Sequence, residues 1–180
     1  MKKILKNAAI IFLFAGIFYG LDFLESKYTA EAVFRVSIAY PFLNFIIVVF
    51  GPVIGGLAGI LGNCLMQLGK VSPNWISIIC SAVYCVGLGI LTRSIDITNG
   101  FFMRKEVLQY NRSQAIQCIL TEMILCPILS VLLLKADFLS VLNQGFWRSL
   151  TRILSCLFLT TLFLSLYART RMSEANFYLN

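Results

Sequence analysis

The sequence predicts an all-α integral membrane protein, a single domain over residues 1–180 folded as a six-transmembrane-helix bundle with its N-terminus and C-terminus cytoplasmic. Three observations carry this. The 180 residues are 59% hydrophobic and only 13% charged, with a mean hydropathy of +0.85, far from the balance of a soluble domain. Six apolar segments approach the roughly 20 residues that a spanning helix needs, and one long polar stretch, Arg93 to Gln114, lies among them. The basic residues also fall unevenly between the two sides that these segments define.

Met1 to Lys6 carries Lys2, Lys3 and Lys6, and the first apolar run extends from about Asn7 to Leu24. No small-x-small cleavage site with polar sequence follows it, so it reads as helix 1 and not as a cleaved signal peptide. Ala9, Gly16 and Gly20 lie along one face at seven- and four-residue separations, a small-residue surface suited to helix contact within the bundle or with a partner. A polar connection, Asp22 to Arg35, leads to helix 2, about Val36 to Phe50, with Pro41 inside it.

Helices 2 and 3 meet at Gly51-Pro52 with no charge between them. Proline lacks an N–H and fixes its φ, which suits the first turn of a new helix, and the preceding glycine permits a reversal. Helix 3, about Val53 to Leu68, carries Gly55, Gly59 and Gly62 near one face, which makes it a packing spine. Helix 4 runs from about Trp75, an interfacial aromatic, to Thr92. Helix 5 spans about Ala115 to Leu134, with Glu122 near its middle and Pro127 as a kink. Helix 6 spans about Gln144 to Tyr167.

With the N-terminus inside, Lys2, Lys3, Lys6, Arg93, Arg104, Lys105, Arg112, Arg169 and Arg171 are cytoplasmic, against Lys27, Arg35, Lys70 and Lys135 outside. That bias orients the bundle. The net charge of +7 is then a matter of topology and anionic lipid headgroups, and it gives no argument for nucleic-acid binding. Arg93 to Gln114 reads as a solvated cytoplasmic loop.

Arg148 and Arg152 stand four residues apart on one face of helix 6, below its outer end. An arginine at a helix centre costs about 2.5–3.5 kcal/mol on insertion scales, so both are expected to point inward. Tyr40 and Asn44 on helix 2, Asn63 and Gln67 on helix 3, and Trp75, Ser77, Ser81 and Tyr84 on helix 4 lie at similar depth, with Asn143 and Gln144 at the start of helix 6. Together they predict a polar pocket opening outward and covered by the Asp22 to Arg35 connection. The competing reading has the arginines snorkelling, or pairing with Glu122 and Asp137 as structural glue.

Other chemistry is excluded or weak. The chain has no histidine, the commonest general base and metal ligand. Its cysteines, at 64, 80, 85, 118, 126 and 156, lack metal-ligand spacing and read as small buried residues, with no cofactor implied. A lone Glu122 makes a poor proton relay. No P-loop, nucleophile elbow, HExxH or paired-carboxylate motif is present, so this chain is not expected to be an enzyme or to hydrolyse ATP itself.

Several stretches resemble the substrate-binding S components of energy-coupling-factor (ECF) transporters, a class of ABC-type prokaryotic vitamin importers. They are F-G-P-V-I-G-G-L-A-G-I-L-G-N from Phe50 to Asn63, A-G-I-F-Y-G from Ala15 to Gly20, Trp75 after helix 3, V-L-N-Q-G from Val141 to Gly145, and L-Y-A-R-T-R from Leu166 to Arg171. The nearest likeness is to the cobalamin-type branch. The resemblance implies a multi-pass cell-membrane protein that captures a vitamin, cobalamin by this likeness, at the outer face. It further implies delivery by toppling on a transmembrane scaffold subunit driven by two ABC-type ATPases. The family's small-residue face on helix 1 meets the scaffold; Gly16 and Gly20 match it, Ala9 extends it and Leu13 interrupts it. Arg148 and Arg152 fall outside the recognised pattern and would suit a ligand with anionic or amide-rich groups. A stand-alone transporter or channel, a lipid-acting enzyme and a ligand-free membrane scaffold are the other classes considered. The halves 1–90 and 91–180 show no internal repeat of the kind secondary transporters carry.

Overall fold

The computed structural model describes residues 2–28, 37–68, 74–95, 97 and 102–177, and among these every regular element is helical. The elements are α1 (Lys2–Tyr28), α2 (Ala39–Leu68), α3 (Trp75–Leu91), α4 (Arg104–Ile119), α5 (Cys126–Leu134), α6 (Phe138–Ser155) and α7 (Thr161–Phe177). Two π-helical turns, Leu120–Leu125 and Cys156–Thr160, fuse α4 to α5 and α6 to α7.

Among the described residues, four segments are, by length and composition alone, long and apolar enough to cross a membrane: Leu5–Lys27, Ala39–Leu68, Arg104–Leu134 and Phe138–Arg171; Trp75–Leu91 is a shorter apolar helix. Their outward side chains, Phe12, Val53, Leu132 and Phe158 among them, are large, apolar and exposed, the surface that hydrocarbon solvates. Buried faces are richer in small and polar residues, as expected where lipid tails already satisfy bulk apolar surface.

The apparent single helix α2 is broken at Gly51, whose φ of 86° and ψ of 171° belong to a backbone region that only glycine occupies readily. Pro52 starts the second arm, and the chain doubles back. A Cβ at Gly55 would stand 2.6 Å from the Ile47 Cα, and one at Gly59 would stand 3.1 Å from the Leu43 side chain, so the two arms run antiparallel in close contact. Gly62 meets Phe18 and the Ala15 carbonyl of α1 in the same way, and Gly89 of α3 meets Pro52. The glycine face thus serves as the packing spine that its spacing predicts. The first arm, residues 39–50, is about 18 Å long at 1.5 Å per residue, well short of the ~30 Å hydrocarbon core.

Side chains close the helix ends. The Glu25 carboxylate of α1 accepts hydrogen bonds from the backbone N–H groups of Ile38 and Ala39 and, at 2.9 Å, from the Ser37 hydroxyl. An acid at the start of α2 satisfies orphan donors and the helix dipole together. Asn74 caps α3 through Ser77 N, and Asp137 caps α6 through Ser140 N at 2.8 Å. Asp137 is therefore a helix cap and not the arginine partner the sequence offered.

The expected solvated loop, Arg93 to Gln114, is corrected in its second half: α4 begins at Arg104, with Glu106 accepting from Met103 N at 3.1 Å. Low hydropathy hid the helix because its buried face is itself polar: Tyr110, Ser113, Gln114, Gln117 and Cys118. α6 likewise begins a turn and a half before Gln144, and α7 carries the helix through the Arg169-Thr170-Arg171 tail. Two buried clusters result. Phe18, Leu43, Ile47, Tyr84 and Leu88 form one; Ile95, Ile97, Tyr110, Leu164 and Ala168 form the other.

Candidate functional site

A cavity of about 370 Å³ opens at the end of the bundle where α1 finishes and α2 and α3 begin. Its floor is an ion pair. Arg152 of α6 donates from Nη1 to Glu122 Oε1 at 2.5 Å, and the two side chains are only 13% and 9% accessible. The guanidinium also lies over the Tyr40 ring, 3.5 Å from its centroid, with the Tyr84 ring at 5.6 Å. Tyr40 is itself held edge-on between Phe18 at 5.7 Å and Tyr84 at 6.2 Å. A buried cation is tolerable here because both a carboxylate and a π face replace its lost water.

The π-helical turn puts Glu122 there. Leu120–Leu125 widens the helix at that level, and Gly145 of α6 packs directly on the Glu122 carbonyl oxygen, where no Cβ could fit. π-Turns recur where a helix must present an unusual group. The glycine of V-L-N-Q-G is therefore the contact that lets α6 carry Arg152 against Glu122.

Above the floor the walls are hydroxyls, amides and thiols. Gln67 Oε1 accepts from Asn74 N at 3.0 Å, joining the end of α2 to the start of α3. Ser77, Ser81, Cys80, Cys126, Thr151 and the Met66 thioether complete the walls, with Asp22, Glu25, Ser26 and Ser37 also in the lining. Arg148 lies in the lining one turn outward of Arg152 and makes no ion pair among the described residues. A polar guest would find many donors and acceptors, one available guanidinium, and a single aromatic ring already covered by Arg152.

Of the residues expected to line the pocket, Tyr40, Gln67, Arg148 and Arg152 do, as do Ser77 and Ser81. Asn63 stands just behind the wall, donating to Ser81 Oγ at 2.7 Å and to the Gly59 carbonyl at 3.1 Å. Asn44 and Tyr84 belong to the core: the Tyr84 hydroxyl donates to Asn44 Oδ1, and Asn44 Nδ2 donates to the Tyr110 hydroxyl, both at 3.0 Å. Trp75 is 64% exposed and lies outside the cavity. Asn143 and Gln144 are exposed on α6, with Gln144 on the Arg148 face but one turn further out. The pocket and glue readings of the arginines turn out to be compatible, since Arg152 pairs with Glu122 and lines the cavity as well. Glu122, Asn74, Thr151, Cys80 and Cys126 were not singled out as pocket residues; the i, i+3 spacing of Arg148 and Thr151 was the available signal for one of them.

On α1, Ala15 and Phe18 point into the bundle, while Ala9 and Gly16 are exposed and Gly20 is half-buried. Nothing lies within 4 Å of a Cβ added at Gly16 or Gly20. That face is open.

A family model described as "ECF-type riboflavin transporter, S component" matches residues 4–169. The chain belongs to that family. UPF0397 proteins are among its relatives. One from Enterococcus faecalis is 32% identical over 143 residues, covering 79% of this chain and 78% of the relative. One from Lactobacillus johnsonii is 27% identical over 172 residues, covering 95% and 93%. One from an Exiguobacterium species is 31% identical over 158 residues, covering 87% and 86%. No solved structure matches the chain significantly.

This ECF S component is thus a prokaryotic membrane transport protein of a substrate-binding, non-enzymatic family whose members work with ECF modules on vitamin substrates. The resemblance noted from sequence holds at the level of the S component. It does not extend to the cobalamin-type branch, since the matching family is the riboflavin-type one.

Proposed function

We propose that this S component captures riboflavin, or a micronutrient of similar size and polarity, in the Arg148/Arg152 cavity at the outer face of a prokaryotic plasma membrane. The observation that carries the proposal is the cavity itself: a volume of about 370 Å³ with polar walls and a charged floor, set in an otherwise apolar bundle. Small-molecule sites run from roughly 300 to 1,000 Å³. A flavin suits the lower end of that range. Cobalamin, several times larger, exceeds it, which argues against the ligand suggested by the cobalamin-type likeness.

In this reading the two arms of α2 count as separate passes, giving six with both termini cytoplasmic. The cavity then opens outward and Arg104, Lys105, Arg112, Arg169 and Arg171 lie inside. Arg148, Gln67, Ser77, Ser81 and Thr151 hold the ligand, and Arg152 with Glu122 fixes the floor. Ala9, Gly16 and Gly20 dock on the transmembrane scaffold, and two ABC-type ATPases drive release. The open small-residue face of α1 supports that docking.

The test is mass spectrometry of the small molecule retained by gently purified protein, paired with riboflavin titration followed by flavin fluorescence quenching. Saturable one-to-one quenching, weakened in Arg148→Gln, is the expected result. Protein that retains no small molecule and quenches no flavin overturns the proposal.

A further inference from the structure

We infer that the end of the bundle opposite the Arg148/Arg152 cavity carries a second binding site, one for an anionic phospholipid whose phosphate rests on Arg93 and Tyr167. A cavity of about 310 Å³ opens there. α3 links the two cavities: its first turn borders the one described above and its last turn borders this one. Its 17 residues, at 1.5 Å each, put them about 25 Å apart.

The walls come from three directions and are fixed in place. The α2 reversal supplies Ile47, Phe50 and Pro52, and Pro52 is pressed against Gly89 of α3, where an added Cβ would stand 2.7 Å from the Pro52 Cα. Beyond α3, Arg93 N donates to the Ile90 carbonyl at 3.3 Å and Ile95 N to the Thr92 carbonyl at 2.9 Å, so Arg93 sits in a hydrogen-bonded turn. α4 braces that turn through Gln109 Nε2, which donates to Ser94 Oγ at 2.6 Å. Tyr167 of α7 closes the ring of walls, half-buried, with its own ring edge-on to Phe45 at 5.8 Å.

The lining is divided between donors and hydrocarbon. Arg93 is exposed and makes no ion pair among the described residues. The Tyr167 hydroxyl accepts from Arg171 Nε at 3.2 Å and Nη2 at 3.1 Å, so what it offers the cavity is its proton. Arg171 thereby places a second cation beside the same hydroxyl. No carboxylate lines the cavity among the described residues. A guanidinium and a hydroxyl proton bordering one space suit a phosphate oxygen, which takes short, charge-assisted hydrogen bonds. On the other side, Phe50 lines the cavity and is also exposed, as is Val53 just past Pro52. An acyl chain therefore has an apolar path from the phosphate to the lipid-facing surface, which a soluble phosphate would not use. Basic pockets between membrane helices hold anionic headgroups in this way. Net charge selects among lipids: phosphatidylglycerol is anionic, whereas phosphatidylethanolamine would bring an ammonium towards Arg93 and Arg171.

The test uses the full chain, delipidated in detergent, and native mass spectrometry with phosphatidylglycerol or phosphatidylethanolamine of identical acyl chains. One bound phosphatidylglycerol is expected, with the ethanolamine lipid held roughly tenfold or more weakly. Arg93→Gln should weaken phosphatidylglycerol roughly tenfold or more, the worth of a charge-assisted contact, and Arg93→Lys and Tyr167→Phe should fall between it and the parent. Arg104→Gln, an exposed basic position outside the lining, should bind as the parent does. Glycerol 1-phosphate is the soluble probe and should not displace the lipid. Equal binding of the two lipids overturns the site, as does a folded Arg93→Gln that binds like the parent or an equal loss in Arg104→Gln, either of which means general attraction to a basic surface. Displacement by glycerol 1-phosphate at the lipid's own concentration overturns the lipid in favour of a soluble phosphate. Folding is checked by circular dichroism; should Arg93→Gln not fold, the lipid selectivity of the parent together with Arg93→Lys and Tyr167→Phe decides. None of these outcomes depends on which molecule occupies the Arg148/Arg152 cavity.

Discussion

Removing the Glu122 charge isolates what the buried pair contributes. In Glu122→Gln the Arg152 guanidinium keeps the Tyr40 ring at 3.5 Å but loses its only ion-pair partner among the described residues. With charge centres about 4 Å apart and an effective dielectric of about 20, the lost attraction is ~4 kcal/mol. That agrees with the ~3–5 kcal/mol seen when one member of a buried pair is deleted. The retained ring contact, about 2 kcal/mol when desolvated, makes the lower end the better expectation. Stability is read by unfolding in mixed detergent micelles followed by circular dichroism, across Glu122→Gln, Arg152→Met and the Glu122→Leu/Arg152→Met double variant. Each single change should destabilise by about 3 kcal/mol or more, whereas the apolar double should recover to within ~1–2 kcal/mol of the parent. The double variant should nevertheless fail to retain ligand, because its floor is hydrocarbon. A single-variant cost below ~1 kcal/mol, the level of solvent-exposed pairs, would refute the electrostatic argument, and ligand retention by the double would reduce the pair to glue.

Arg148→Gln removes from the lining a guanidinium that makes no ion pair among the described residues, and loss of a charge-assisted contact worth about 1.5–3 kcal/mol should weaken ligand binding about 10- to 150-fold by titration. Its thermal midpoint should stay that of the parent. Gly55→Val places a side chain 2.6 Å from the Ile47 backbone, forcing the α2 hairpin open; a cost of at least ~1–3 kcal/mol should appear as loss of monodisperse protein in size-exclusion chromatography. Gly51→Ala must adopt φ 86° and should cost about 1–3 kcal/mol in the same unfolding assay. Gly16→Leu with Gly20→Leu meets no neighbour in the bundle; fold and ligand retention should survive, and co-purification with the scaffold subunit should be lost.

What could be read from the sequence was whatever a local rule enforces. The reversal at Gly51-Pro52 is dictated by backbone stereochemistry, and the inward position of Arg152 by the cost of charge in hydrocarbon. Which way a side chain faces was less legible. Tyr40 and Asn44 are four residues apart and share a helix face, yet Asn44 is claimed by Tyr110 from 66 positions away, a partner on a stretch whose polarity reads as loop. Asn143 and Gln144 were placed at the start of helix 6, but α6 begins at Phe138, so they lie within a longer helix and are exposed outside the cavity. The cysteines matched a small buried residue in every local respect. Only the packing of α3 on α5 separates Cys80 and Cys126 from the rest.

The two π-helical turns, Leu120–Leu125 and Cys156–Thr160, carry a consequence for insertions and deletions. Each inserts roughly one surplus residue into its rod, which in a plain α-helix would shift the angular phase of everything beyond it by about 100° at 3.6 residues per turn. Excising one residue within Leu120–Leu125 would let a plain α-helix join α4 to α5 at nearly the present phase, because the wide turn is what absorbs the surplus residue. Cys126 and Pro127 would keep their bearings, whereas the same loss elsewhere in the rod would rotate everything beyond it by about 100°. For this bundle, single-codon losses at those two places should be better tolerated than losses elsewhere in the same rods.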